Sequence, residues 1–127
     1  MKFHIDSTFP PHDEIFVFGS NLAGRHGAGA ALAAFNFYGA EYYCGIGLVG
    51  LSYAIPTKDR KIETMSLNEI KFNVDFFKYF ALHHPNMKFF VTRIGCGLAG
   101  YTDSDIAPLF IGITDNCNMP ENWRKYL

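Results

Sequence analysis

An α/β fold in a single domain is predicted by three features of the sequence. The chain is of one-domain length, it is rich in apolar residues and poor in charge, and short apolar runs alternate with helix-forming segments. At 127 residues it sits near the commonest domain size, so residues 1–127 are read as one domain. A composition 49% hydrophobic and 18% charged is globular rather than disordered. Thirteen Phe and seven Tyr allow a large core. The formal net charge of -1 excludes the broad basic field of a general DNA binder. An anionic small molecule would have to be met by local backbone dipoles instead.

The elements follow in order. "EIFVFG" (14–19) reads as a buried strand. "GAGAALAAFNF" (27–37) reads as a helix, since alanine favours one and Gly29 near its start is tolerable. "LSYAIP" (51–56) reads as a strand stopped by Pro56. The segment 66–84 is the clearest helix. Ser66 and Glu69 have capping-box spacing, and Leu67, Ile70, Val74, Phe77 and Ala81 form an apolar stripe. "MKFFVTRIG" (87–95) reads as a strand. Thr102 and Asp105 offer a second cap, opening a helix over 103–113 that Pro108 interrupts or begins. Trp123 and Tyr126 are expected to dock the tail.

Two glycine loops sit at the carboxyl ends of predicted strands, "GSNLAGRHGAG" (19–29) and "GCGLAG" (95–100). Ligands of open α/β sheets lie at such ends. Glycines let backbone N–H groups approach a ligand, and N–H groups at helix starts and nests favour phosphate. The plain alternative is that the glycines only turn the chain. Neither loop is a P-loop, because no G-x-x-x-x-G-K-[ST] exists, and "GAGAAL" does not follow its strand as directly as a dinucleotide fingerprint requires.

Other residues are weighed beside the loops. Arg25 could pair with phosphate, and His26 could orient phosphate or ribose or be a solvated loop histidine. Cys96 between glycines reads more simply as a small side chain than as a nucleophile. Three cysteines without a C-x-x-C pair argue against a disulfide framework or zinc knuckle, and no metal constellation is visible. No cofactor is expected. The N-terminus shows no apolar signal segment and no run approaches a membrane span, so a cytoplasmic protein without a membrane partner is expected.

"SNLAGRHGAGAA" resembles the first ligand loop of macro domains, where an Asn follows the strand and a glycine-rich segment follows six residues later. "TRIGCGLAGY" (92–101) resembles their second, diphosphate-binding loop. Its "IGCGL" form is closest to the branch that cleaves ADP-ribose from protein carboxylates or DNA bases. With "SYAIPTKD" (52–59) and "MPENW" (119–123), the chain is similar over most of its length to a small macro-like family of phages and prophages.

The resemblance implies a three-layer macro-like domain, a mixed central sheet with helices on both faces. It implies ADP-ribose or a related NAD-derived nucleotide as ligand. Asp6 would receive the adenine amino group and Asn21 would face the distal ribose. Gly27, Ala28 and Gly29 would contact that ribose and the diphosphate. Gly95, Cys96, Gly97, Leu98, Ala99 and Gly100 would wrap the diphosphate, with Tyr101 over a ribose. Lys58 stands near the catalytic lysine of that branch, with Asp59 beside it as acid–base candidate; a solvated turn is the plain alternative for both. The Asp that follows "GCGL" in that branch is Ala99 here, and Ala30 and Ala31 stand where the other hydrolase branch has its Asp. Two function classes therefore remain. One is a glycohydrolase acting on ADP-ribosylated protein or nucleic acid. The other is a non-catalytic binder of an ADP-ribose-type signal.

Overall fold

A computed structural model describes all 127 residues. Its centre is a six-stranded mixed sheet. The strands are β1 (Lys2–His4), β2 (Ile15–Asn21), β3 (Gly47–Val49), β4 (Ser52–Lys58), β5 (Phe89–Val91) and β6 (Cys117–Pro120), in the order β1-β6-β5-β2-β4-β3. Only β3 runs antiparallel, against β4; the other pairs are parallel. The helices are α1 (Gly29–Phe37), α2 (Leu67–His83) and the short α3 (Asp103–Ile106). Two 3-10 turns, Ala107–Phe110 and Glu121–Tyr126, complete the chain.

Strand periodicity builds the three layers. In β2, Ile15 and Val17 point to one face while Phe16 and Phe18 point to the other. Tyr53 and Ile55 against Ala54, and Phe89 and Val91 against Phe90, repeat the alternation in β4 and β5. One face carries α2, whose stripe Ile70, Val74, Phe77 and Ala81 is fully buried, together with the C-terminal elements around Trp123. The opposite face carries α1, which packs through Ala34 near Phe16, Phe18 and Tyr38. The small alanine side chains of α1 bring it close to the sheet.

Helix ends follow local chemistry. The Glu69 N–H donates to Ser66 Oγ, and the Ser66 N–H donates to Glu69 Oε1 at 3.2 Å, which closes the expected capping box. Thr102 donates from both N–H and Oγ1 to Asp105 Oδ2. The tail docks as expected, with Trp123 fully buried.

Several boundaries differ from the sequence reading. Pro56 does not stop β4, which continues to Lys58. The strand tolerates it because β3 pairs only as far as Ala54 and the β2–β4 register shifts between Ser20 and Asn21. The helix expected over 27–37 starts at Gly29, leaving residues 27 and 28 extended or in the loop. The strand expected over 87–95 is confined to Phe89–Val91. The helix expected over 103–113 breaks after Ile106, where Pro108 sits in the first turn of a 3-10 turn. β1, β3 and β6 were not foreseen.

Candidate functional site

The parallel strands carry their following segments in opposite directions across the sheet. The chain leaves β2 through α1 toward β4, and leaves β5 through α3 toward β6. The switch therefore falls between β2 and β5, where a crevice opens beyond the carboxyl ends of the strands. A cleft of about 810 Å³ lies there, within the roughly 300–1,000 Å³ usual for small-molecule sites.

One wall is the first glycine loop. Asn21, at the end of β2, folds it: Asn21 Oδ1 accepts from the Arg25 N–H at 3.0 Å, and Nδ2 donates to the Arg25 carbonyl at 2.8 Å. Gly24 has φ of +70°, and a Cβ there would collide with the backbone of Tyr43, so the chain itself demands this glycine. The loop then runs into α1. The N-cap is Ala28, which offers no side-chain acceptor, and the first turn holds no acidic residue. Gly27 to Ala31 all line the cleft, so the positive end of α1 faces it uncapped.

The opposite wall is the second glycine loop. Thr92 Oγ1 donates to the Val17 carbonyl, and the chain turns by three backbone bonds, Cys96 N–H to Arg93 O, Gly100 N–H to Gly97 O and Tyr101 N–H to Gly95 O. The N–H groups of Gly95, Gly97, Leu98 and Ala99 donate to no acceptor in the protein, and all four residues line the cleft.

The two walls share a feature with no internal cause. A Cβ on Gly27 or on Gly97 would meet nothing within 4 Å, and neither residue has a positive φ. Fold and backbone would accept a side chain at both positions.

At the β1–β5 side the cleft is apolar. His4 stacks on Phe90 with ring centroids 3.7 Å apart, and Phe9 lies 6.1 Å from Phe16. Burial pushes the His4 imidazole below its ordinary value, although Asn118 Oδ1, accepting from Nδ1 at 3.0 Å, works the other way. Asp6 stands on the rim here, with Arg93 Nη1 at 2.9 Å from its Oδ2. At the β4 side, Lys58 lines the cleft beside Asn21, its partner in the β2–β4 register. Its ammonium makes no ion pair. Arg25 and Lys58 thus line the cleft without an ion-pair partner, while Arg93 is paired with Asp6, the one lining carboxylate, and with Asp103 behind it.

The residues singled out in the sequence divide accordingly. Asp6, Asn21, Arg25, Gly27, Ala28, Gly29, Lys58, Gly95, Cys96, Gly97, Leu98 and Ala99 line one cleft. His26, Asp59, Gly100 and Tyr101 do not, and their expected roles are corrected. His26 is fully buried beneath the first loop, bonded through Nε2 to the Glu41 carbonyl at 2.8 Å and edge-on to Phe18. Asp59 Oδ1 accepts the Lys61 and Glu63 N–H groups and so serves its own turn. The Tyr101 hydroxyl donates to the Met65 carbonyl at 2.6 Å, and the ring packs into the core below the loop. Gly100 closes the turn at φ +88°.

Cys96 is a poor nucleophile: burial, then the nearby Asp103 carboxylate, push its thiol up to about 12. Arg93, Thr92 and the aromatic wall were missed. The signal for Arg93 was present, a charged residue directly before "IGCG" at the end of an apolar strand. No cluster of three or more His, Cys, Asp or Glu side chains is placed to hold a metal ion. No helix is long and apolar enough to cross a membrane.

No protein-family model matches the chain, and no curated protein matches it either.

Proposed function

We propose that the protein is a macro-like domain that binds ADP-ribose or a related NAD-derived nucleotide in this cleft. The observation that carries the reading is the pair of unexplained glycines. Gly27 and Gly97 lie on opposed walls, each beside unpaired backbone N–H groups, and nothing inside the protein forbids a side chain at either place. A ligand that must come within hydrogen-bond reach of both backbones supplies the reason. Converging N–H donors suit a diphosphate. The aromatic compartment of His4, Phe9, Phe16 and Phe90 suits a base, and the excess of cationic lining suits a polyanion. Three unpaired cysteines, Cys44, Cys96 and Cys117, accord with work in a reducing cytoplasm.

Binding without catalysis is the reading favoured. The single lining carboxylate is already paired with Arg93, and Asp59 is turned to its own loop, so no free carboxylate stands beside Lys58 to move a proton. The hydrolytic alternative rests on Lys58, an unpaired ammonium at the far side of the cleft. Calorimetric titration with ADP-ribose, NAD and AMP tests the first reading, and ADP-ribose is expected to bind most tightly. Absence of binding by all three sinks it. Turnover assays on ADP-ribosylated protein and DNA test the second, and no release is expected.

A further inference from the structure

Arg93 occupies a place that neither glycine loop explains. It stands two residues past the end of β5 and its carbonyl accepts the Cys96 N–H, so its backbone opens the second loop. Its side chain leaves in the other direction. Nε donates to Asp103 Oδ1 at 2.9 Å and Nη2 to Asp103 Oδ2 at 2.8 Å, a two-pronged grip on one carboxylate. Asp103 is held in turn by the Trp123 indole N–H at 2.7 Å, and Trp123 is fully buried. With two prongs fixed, Nη1 points to Asp6 Oδ2 at 2.9 Å. A lysine could not make this arrangement, because a single ammonium has no rigid fork.

The segment Asp6–Phe9 has little else to hold it. All four residues are exposed, and Ser7 carries φ of 64°, unusual for a residue with a Cβ. Its other hydrogen bonds are local, Ser7 N–H to Asp6 Oδ1 and Thr8 N–H and Oγ1–H to the Ile5 carbonyl. The Asp6–Arg93 pair is the one polar tie that takes the segment to a distant part of the chain. Yet Asp6, Ser7, Thr8 and Phe9 form the rim of the apolar end of the cleft.

We infer that Arg93 is a positioning residue: fixed by Asp103, it latches the Asp6–Phe9 segment over the cleft and fixes the carboxylate of Asp6 so that it discriminates between bases. This rests on the proposed nucleotide reading for its consequence, though not for the latch itself. Ser7 N–H on Oδ1 and Arg93 Nη1 on Oδ2 use one lone pair of each oxygen and set the plane of the carboxylate. The lone pairs left over accept from a ligand N–H. They meet an exocyclic amino group favourably and a carbonyl at the same ring position unfavourably.

Two measurements on wild type, Arg93→Gln, Arg93→Lys, Asp6→Asn and the double variant Asp6→Asn/Arg93→Gln test the inference. The first is amide hydrogen exchange of the free protein over residues 6–9. Faster exchange is expected in Arg93→Gln and Asp6→Asn, with cooperative melting kept. The second is calorimetric titration with ADP-ribose and with its hypoxanthine counterpart. Wild type is expected to prefer the adenine form by about tenfold or more. In Arg93→Gln that ratio should fall toward unity, mainly by loss of the adenine form. Arg93→Lys should fall between the two, and the double variant should match Asp6→Asn alone. Unchanged exchange and an unchanged ratio in Arg93→Gln overturn the proposal. Equal weakening of both nucleotides also overturns it, because Arg93 then acts through the second loop or as a general anion contact and not through Asp6. If wild type binds neither nucleotide while Arg93→Gln still frees residues 6–9, the nucleotide reading fails and the latch stands.

Discussion

The two glycine loops present the same surface to the cleft and are held in opposite ways. The first is shaped by a side chain, Asn21 clasping the backbone of Arg25, and rests on the buried ring of His26. The second is shaped by its own backbone turns and fastened from outside by Arg93 and Tyr101. Bare N–H groups facing the cleft are common to both; the scaffolds behind them are not. A substitution can therefore strike the shared surface or one scaffold alone, and the two should be separable by experiment.

The largest effect is expected at the surface. Gly27→Val and Gly97→Val should each lower ADP-ribose affinity by about a hundredfold or more, through a side chain standing where the ligand must approach. Melting temperature should change little, because a Cβ at either position meets nothing. Gly24→Val and Gly95→Val are the contrasting pair. Both positions have positive φ, and a Cβ would strike the Tyr43 backbone or the Ile106 side chain, so thermal melts should show loss of fold. Tight binding retained by both Gly27→Val and Gly97→Val would remove the shared surface from the argument.

Next come the scaffolds. Asn21→Ala leaves the Arg25 N–H and carbonyl without their clasp and should cost about 1–2 kcal/mol of stability, with affinity falling about tenfold as the first loop loosens. Tyr101→Phe removes one hydrogen bond to Met65 beneath the second loop and should cost about 1 kcal/mol, with affinity within about threefold of wild type. Denaturant melts and calorimetry on the two variants read both quantities. If Tyr101→Phe weakened binding as much as Asn21→Ala, the second loop would depend on its outer fastening more than its backbone turns suggest.

The Lys58 ammonium bonds to neither scaffold, and its effect should be smaller still on free ligand. Lys58→Ala is expected to lower ADP-ribose affinity by about threefold, the loss of one partly exposed cation near a polyanion. Should wild type release ADP-ribose from a modified substrate, Lys58→Ala should abolish release while free ligand still binds, as befits a group acting in the transition state.

How much of this could be read in advance depended on the distance over which each signal acts. β2 and α2 were legible because seven and seventeen residues are enough for a period to show, and the Ser66–Glu69 cap marks its own start. β1 "KFH", β3 "GLV" and β6 "CNMP" are too short for any period; pairing with neighbours makes them strands. The cleft was legible at its glycines, which announce themselves locally. Its apolar end was not, since His4 and Phe90 lie far apart in the sequence and are brought together only when β6 pairs with both β1 and β5. The errors have one origin. His26 and Asp59 neighbour lining residues in sequence, and Tyr101 lies two residues beyond Ala99, the last of its loop to line the cleft; a loop reverses side-chain direction within one residue, and only the fold decides which way each points.

The smallest effect concerns acid, and it follows the ion pair behind the second loop. The clasp of Asn21 contains no ionisable side chain, whereas the fastening of the second loop is an ion pair. Burial alone would raise the carboxyl of Asp103, but hydrogen bonds from Arg93 and Trp123 outweigh it and hold Asp103 below its ordinary value of 3.8. A carboxylate depressed in the folded state contributes stability that is fully present above the ordinary value. That contribution is lost as pH falls through the folded value. The fastening should therefore be indifferent to pH between about 5 and 8 and weaken only below 3.8. His4 behaves in the same sense at a higher window. Its depressed imidazole takes up a proton later than in the unfolded chain, so its contribution is present above 6.5 and declines as pH falls below that value toward the folded one. Trp123 is the one tryptophan, so its indole N–H gives a single unambiguous NMR signal bonded directly to Asp103. That signal should hold steady as His4 titrates and then shift with a midpoint below 3.8. A midpoint at or above 3.8 would mean that Arg93 does not grip Asp103 in solution, and the contrast between the two loops would lose its ionic half.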